Sequence, residues 1–136
     1  MSSVQDVGQA VKRLQWRHHR EGNRRLSAAT GLSLVQWDVL RHLRRDPDAS
    51  LHALAEATFQ TDQSMGELAR RMVAAGLLER LDGPGRAVRH RLTPAGVAAF
   101  EAGSGIFDQV LGETVGTLTA AERKTLLALL EKASRG

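Results

Sequence analysis

Residues 61–76, TDQSMGELARRMVAAG, decide how the rest of the chain is read. Met65, Leu68, Ala69, Met72 and Val73 fall at i, i+3, i+4, i+7 and i+8, which places them on one face of an α-helix and predicts that they are core. At about 100° per residue, the opposite face carries Gln63, Glu67, Arg70, Arg71 and Ala74, with Ser64 at its edge and Asp62 in the first turn. Thr61 is the predicted N-cap, because its hydroxyl can accept from an unpaired N–H of the first turn. Gly76 is the predicted stop, because glycine readily adopts the left-handed conformation that ends helices. The segment is therefore a helix with a buried apolar face and a free polar one.

The remaining chain bounds what such a helix can serve. With 136 residues, the length suits one domain with a modest core. Lys and Arg total 19 against 15 Asp and Glu, a formal +4. The charge is uneven: residues 10–45 hold nine basic side chains (Lys12, Arg13, Arg17, Arg20, Arg24, Arg25, Arg41, Arg44, Arg45) against Glu21 and Asp38. That excess suits a polyanionic partner, although a solvated charged face is the commoner cause of a modest imbalance. The absence of cysteine excludes disulfides and Cys-ligated metals. The opening residues lack the apolar core of a signal peptide, and no run approaches the ~20 apolar residues of a membrane span. A cytoplasmic protein without a membrane partner is expected.

In chain order, residues 4–26 begin with Val4, Val7, Val11 and Leu14 at helical spacing and turn strongly basic, predicting a long first helix. Ser33 and Gln36 match a capping box opening a second helix lined by Leu34, Trp37, Leu40 and Leu43. Pro47 ends it. Ser50 caps a short third helix with Leu51, Leu54 and Ala55 facing inward, and residues 58–60 link it tightly to the helix at 61–76. Two helices joined by about three residues have the spacing of a helix-turn-helix. Residues 77–81 and 87–93 then read as strands about the turn signal Asp82-Gly83-Pro84-Gly85, with Val88, His90 and Leu92 on one side and Arg89 and Arg91 on the other. The hairpin is a wing with Arg86 at its tip. Thr93-Pro94 opens a long helix, for which the glycines predict a kink or break near residues 103–105. Thr119 and Glu122 form a capping box before a short terminal helix whose Leu126, Leu127, Leu129 and Leu130 need a partner.

This order resembles the MarR family of bacterial winged-helix transcription regulators. The likeness rests on residues 32–40 (LSLVQWDVL), Ser50 with Leu54-Ala55-Glu56, Asp62-Gln63-Ser64-Met65, residues 76–80 (GLLER), residues 92–96 (LTPAG) and residues 118–123 (LTAAER). It implies a mainly α fold with a small β-hairpin wing, in which residues 33–93 form a winged helix-turn-helix DNA-binding domain. Residues 1–32 and 94–136 would form a helical dimerisation region from the first, fifth and sixth helices. It further implies a homodimer, a repressor in the first instance, that binds a pseudo-palindromic double-stranded DNA operator and is released by a small aromatic effector. Two features depart from the family. Gly66-Glu67 stands where Thr-Arg is frequent, and the wing is short, with Gly85 where many members carry Asp.

The resemblance directs attention to Thr61, Asp62, Gln63, Ser64, Glu67, Arg70, Arg71, Arg86 and Arg89 as DNA-binding residues. Gln63 can pair bidentately with adenine, Ser64 can serve a base or a phosphate, and Arg70 and Arg71 suit phosphates. Glu67 either accepts from a cytosine amino group or pairs with Arg70 or Arg71 at helical spacing. Trp16, His19 and Trp37 are candidates for an effector cleft, against the simpler reading that both tryptophans pack. The five histidines lack ligand spacing, so neither a metal nor another cofactor is expected. No nucleophile turn or phosphate loop accompanies the Ser, His and carboxylate groups, so the chain reads as a non-enzyme. The rival reading is a winged-helix module that binds another protein, since fold does not dictate function.

Overall fold

The computed structural model describes residues 2–82 and 88–136. Helix α1 (Val4–Thr30) starts at Ser3, whose hydroxyl accepts from the Asp6 N–H while the Asp6 carboxylate accepts from the Ser3 N–H. It runs four residues beyond the predicted Leu26 and stops at Gly31, whose φ of 75° is left-handed. Helix α2 (Leu34–Arg45) has the predicted capping box of Ser33 and Gln36. An additional bond ties it to α1: the Asn23 amide oxygen accepts from the Leu34 N–H at 2.7 Å, satisfying one of the donors that a helix start leaves free.

Helices α3 (Leu51–Ala57) and α4 (Asp62–Ala74) form the helix-turn-helix. Their link contains Phe59 at φ 58°, and its ring is 95% exposed. A bulky residue in the left-handed region carries strain of about 1–2 kcal/mol. Helix α4 begins at Thr61, whose hydroxyl accepts from the Ser64 N–H at 3.1 Å. It ends in a complete Schellman motif: Leu77 N–H donates to Met72 O, Gly76 N–H donates to Val73 O, and Gly76 has φ 80°. Met65, Leu68, Ala69 and Met72 are buried as predicted. Val73 is not: it is 36% exposed, because it lies at the edge of the apolar face beside the hairpin.

Strands β1 (Leu78–Leu81) and β2 (Arg89–Leu92) pair antiparallel, with Leu78 opposite Leu92 and Arg80 opposite His90. Both are shorter than the sequence predicts, and the expected turn at residues 83–85, with Arg86, lies outside the described residues. A backbone bridge from Arg89 to Ser50 also fastens the turn-proximal end of β2 to the start of α3. It leaves Arg89 half-buried rather than free.

Helix α5 (Pro94–Gly112) is continuous, so the chain does not break at residues 103–105. Gly103 is buried where α5 crosses α1 and α2. A Cβ there would stand 2.6 Å from Trp37 Cδ1 and 3.2 Å from Leu26 Cδ2. The glycine permits close approach of helices, and that contact outweighs a helical penalty of about 1 kcal/mol. A single 3-10 turn (Val115–Thr117) then leads to α6 (Ala120–Arg135), capped by Thr119 and Glu122.

The core unites Leu26, Val39, Leu40, Leu43, Leu54, Met65 and Met72, with Phe100 and Phe107 packed against it. Trp37 belongs here, stacked on Phe100 and tilted against Phe107. Helix α6 contributes no buried residue. Val4, Val7 and Val11 on α1, and Leu127, Leu129 and Leu130 on α6, remain exposed. Among the described residues no helix is long and apolar enough to cross a membrane.

Candidate nucleic-acid interface

Because α4 anchors itself through Met65, Leu68 and Met72, its opposite side is exposed: Thr61, Asp62, Gln63, Ser64, Glu67, Arg70 and Arg71 all lie there. The candidates on this helix therefore share one surface, since a single amphipathic period serves both faces. Among the described residues, Glu67 forms no ion pair with Arg70 or Arg71, so the expected pairing is not formed. Gly66 is half-buried, and a Cβ there would meet only Arg70 Nη1, at 3.7 Å. The guanidinium of Arg70 thus lies close to bare helix backbone.

Two basic clefts flank this surface. One, of about 420 Å³, lies between α4 and the hairpin and is lined by Gly66, Arg70, Arg80 and His90 among others. The second, of about 590 Å³, lies between α4 and the junction of α1 with α2, where Arg24 and Arg71 face it. Arg80 is held by Asp82 at 3.0 Å and Arg24 by Glu21 at 2.8 Å. On the hairpin, Arg91 is occupied by a two-pronged bond to Glu79, at 3.1 and 3.2 Å. The Arg89 guanidinium donates to its neighbour's carbonyl, Val88 O, at 3.3 Å.

The first turn of α4 has a charged neighbour that periodicity within α4 does not reveal. His52 of α3 bonds through Nδ1 to Asp62 at 2.9 Å and through Nε2 lies 2.8 Å from Glu56. The hydrogen bond and charge of Asp62, then the charge of Glu56, raise the pKa of His52 above its usual value. His90 is the opposite case. It is 4% exposed, and burial, followed by the charge of Arg80, lowers its pKa. Its Nδ1 has no hydrogen-bond partner among the described residues.

A third cavity, of about 620 Å³, opens between α1, α5 and α6 and is mostly apolar. Val11, Leu14, His18, His19, Phe107 and Leu130 are among its walls. His18 shares a 2.6 Å bond with the Thr114 hydroxyl, and burial with the charge of Arg17 lowers its pKa. His19 bonds to the Asn23 amide and stacks on Trp16. Of the three residues expected to form an effector cleft, only His19 lines this space. Trp16 is 57% exposed outside it, and Trp37 lies in the core, its indole N–H donating to Phe100 O and Ser104 Oγ, each at 3.3 Å. Phe107 touches Trp37 and lines the cavity, a position set by the crossing of α5 over α2 rather than by any local signal. Among the described residues no three His, Asp or Glu side chains gather to hold a metal ion.

Residues 30–87 match a family model described as MarR family. Among solved structures, Bordetella bronchiseptica BpsR is 30% identical over 94% of this chain and 98% of its own, with a TM-score of 0.82. That structure addresses regulation of BpsR DNA binding by 6-hydroxynicotinic acid. A MarR family protein of Mycobacterium tuberculosis in complex with p-aminosalicylic acid is 25% identical over 98% of this chain and 99% of its own, with a TM-score of 0.77. A mutant Escherichia coli MarR complexed with operator DNA is 24% identical over 97% and 99% of the two chains, TM-score 0.81, a likeness that bears on the fold alone. No curated protein matches the chain.

Proposed function

The chain belongs to the MarR family, and from that premise we propose that it is a homodimeric repressor that binds a pseudo-palindromic DNA duplex through α4 and the hairpin. The observation that carries this reading is the exposed polar face of α4, flanked on both sides by arginine-lined clefts. Gln63 and Ser64, in the first turn, read base edges, while Arg70 and Arg71 contact phosphates. Thr61 and Asp62 position that turn, Glu67 accepts from a cytosine amino group, and Arg86 and Arg89 extend the contact from the wing. Residues 33–93 form the DNA-binding unit, and α1, α5 and α6, within residues 1–32 and 94–136, join two copies. The exposed apolar residues of α1 and α6 support this assembly, since neither face is covered within one chain. Two α4 helices would then enter successive major grooves about 34 Å apart. A regulator with this role works where the chromosome is, in the bacterial cytoplasm.

The cavity beside His18, His19 and Phe107 supports control by a small aromatic acid. The ligands named for BpsR and the mycobacterial protein are both aromatic carboxylic acids. Here an apolar wall with an aromatic ring would receive the ring system, and the imidazoles would bond its polar substituents.

Selection of duplexes from genomic DNA by the purified protein tests the function. An enriched pseudo-palindrome is expected, with affinity falling about 10³-fold or more between about 50 mM and 200 mM salt, as for a protein making several phosphate contacts. Changing Arg86 and Arg89 together to alanine should abolish binding. If no duplex is enriched, the repressor reading is lost and a protein partner becomes the better account.

A further inference from the structure

Arg70 and Arg71 are neighbours in sequence yet serve different clefts, because consecutive helical residues diverge by about 100°. Arg70 meets Arg80 between α4 and the hairpin, and Arg71 meets Arg24 between α4 and α1. In both clefts the arginine from outside α4 is held by an acid, Asp82 for Arg80 and Glu21 for Arg24. Among the described residues, the α4 arginine of each pair forms no ion pair. Each cleft therefore presents one oriented and one available guanidinium.

A major groove, about 12 Å wide, is bounded by the two sugar-phosphate backbones. A helix lying in it has one DNA strand on each flank. We propose that the two clefts are phosphate seats sorted by strand: Arg70 and Arg80 clamp a phosphate of the strand passing between α4 and the hairpin, and Arg24 and Arg71 clamp one of the opposite strand. This rests on the DNA-binding reading above and deepens it. A phosphodiester carries its charge on two acceptor oxygens that a guanidinium fork can bond in pairs.

The hairpin-side seat has two additional features. Gly66 leaves the helix backbone open, so the DNA backbone can approach beside Arg70 without meeting a side chain. Buried His90 lines the same cleft opposite Arg80 in the strand register, and its Nδ1 has no partner among the described residues. Burial, followed by the charge of Arg80, lowers the pKa of the ring, which disfavours a third cation beside the seat. The Gly66 departure from the family pattern thus widens a backbone seat in place of supplying a threonine contact.

The full-length protein is used to select the tightest duplex from a random-sequence pool. That duplex is then rebuilt with single methylphosphonate linkages, each removing one phosphate charge, along each strand in turn. Sensitive positions should weaken wild-type binding by roughly tenfold, the scale of one lost charge-assisted contact. In Arg80→Gln, the sensitive positions on one strand of each half-site should show little further loss, the strands exchanging between half-sites through the two-fold axis. In Arg71→Gln, the same masking should fall on the other strand of each half-site. Thermal denaturation checks that both variants fold, and Arg70→Gln and Arg24→Gln provide an independent pair.

Masking of both sets on the same strand of a half-site, or masking by neither variant, overturns the proposal while leaving DNA binding intact. Failure of wild-type protein to enrich any duplex instead removes the DNA reading and this inference with it. Inorganic phosphate is titrated at constant ionic strength as the competing anion. Saturable shifts of the Arg70 and Arg80 side-chain resonances without methylphosphonate masking would make the cleft a free-anion site and overturn the assignment.

Discussion

Trp37 of α2 lies directly over Gly103 of α5, so close that a Cβ on the glycine would stand 2.6 Å from the indole Cδ1. The same indole donates its N–H to Phe100 O and Ser104 Oγ, one turn before and one residue after that glycine. Gly103→Ala should therefore destabilise the protein by about 1–3 kcal/mol, the usual range for overpacking. Gly105→Ala meets nothing within 4 Å and should stabilise it by roughly 0.5–1 kcal/mol through helix propensity. Urea denaturation of the two variants checks the contrast; equal effects of the same sign would refute the close-packing account of Gly103.

Phe59 combines a left-handed backbone with an almost fully exposed ring. Replacing it by glycine relieves about 1–2 kcal/mol of backbone strain and returns about 0.5–1 kcal/mol in chain entropy. Phe59→Gly should raise stability by up to about 1.5 kcal/mol, measured as a higher melting temperature. A lower one would mean that the ring has a contact in the assembled protein.

His52 makes the first turn of α4 sensitive to pH. Its pKa is raised first by the hydrogen bond to Asp62. The stabilising charge is fully present below the unfolded pKa of about 6.5 and is lost as pH rises through the higher folded value. Above that value Asp62 and Glu56 lose their shared cation, and a DNA backbone approaching them meets two uncompensated carboxylates. Duplex affinity should fall between about pH 6 and pH 8, and His52→Gln should flatten that dependence. Fluorescence anisotropy at fixed ionic strength measures both; an unchanged slope in the variant removes His52 from the effect.

Leu127 and Leu130 lie 58% and 40% exposed on a helix without a buried residue. Introducing charge at both, Leu127→Glu with Leu130→Glu, should convert a dimer at micromolar concentration into a monomer in light scattering and weaken duplex binding by more than tenfold, since one half-site is lost. The change should leave the helical circular dichroism nearly intact, because the α1–α5 core does not include these side chains.

The sequence alone determined whatever depends on local period and local chemistry. The apolar repeat of α4, the caps at Ser33, Ser50, Thr61 and Thr119, and the stop at Gly76 are legible because each is satisfied within a few residues. The polar face of α4 follows from the same repeat, so its DNA-binding candidates could be named before any coordinates. Only tertiary structure decided how distant segments meet. It turned Gly103 from a predicted helix breaker into the bed of Trp37, tied the hairpin to Ser50 through Arg89, and gave Arg70 and Arg71 separate partners from the hairpin and α1. It also moved Trp37 away from His19 and set Phe107 in the cavity wall. These relationships depend on helix crossings, which bring together residues tens of positions apart and leave no periodic mark in the chain.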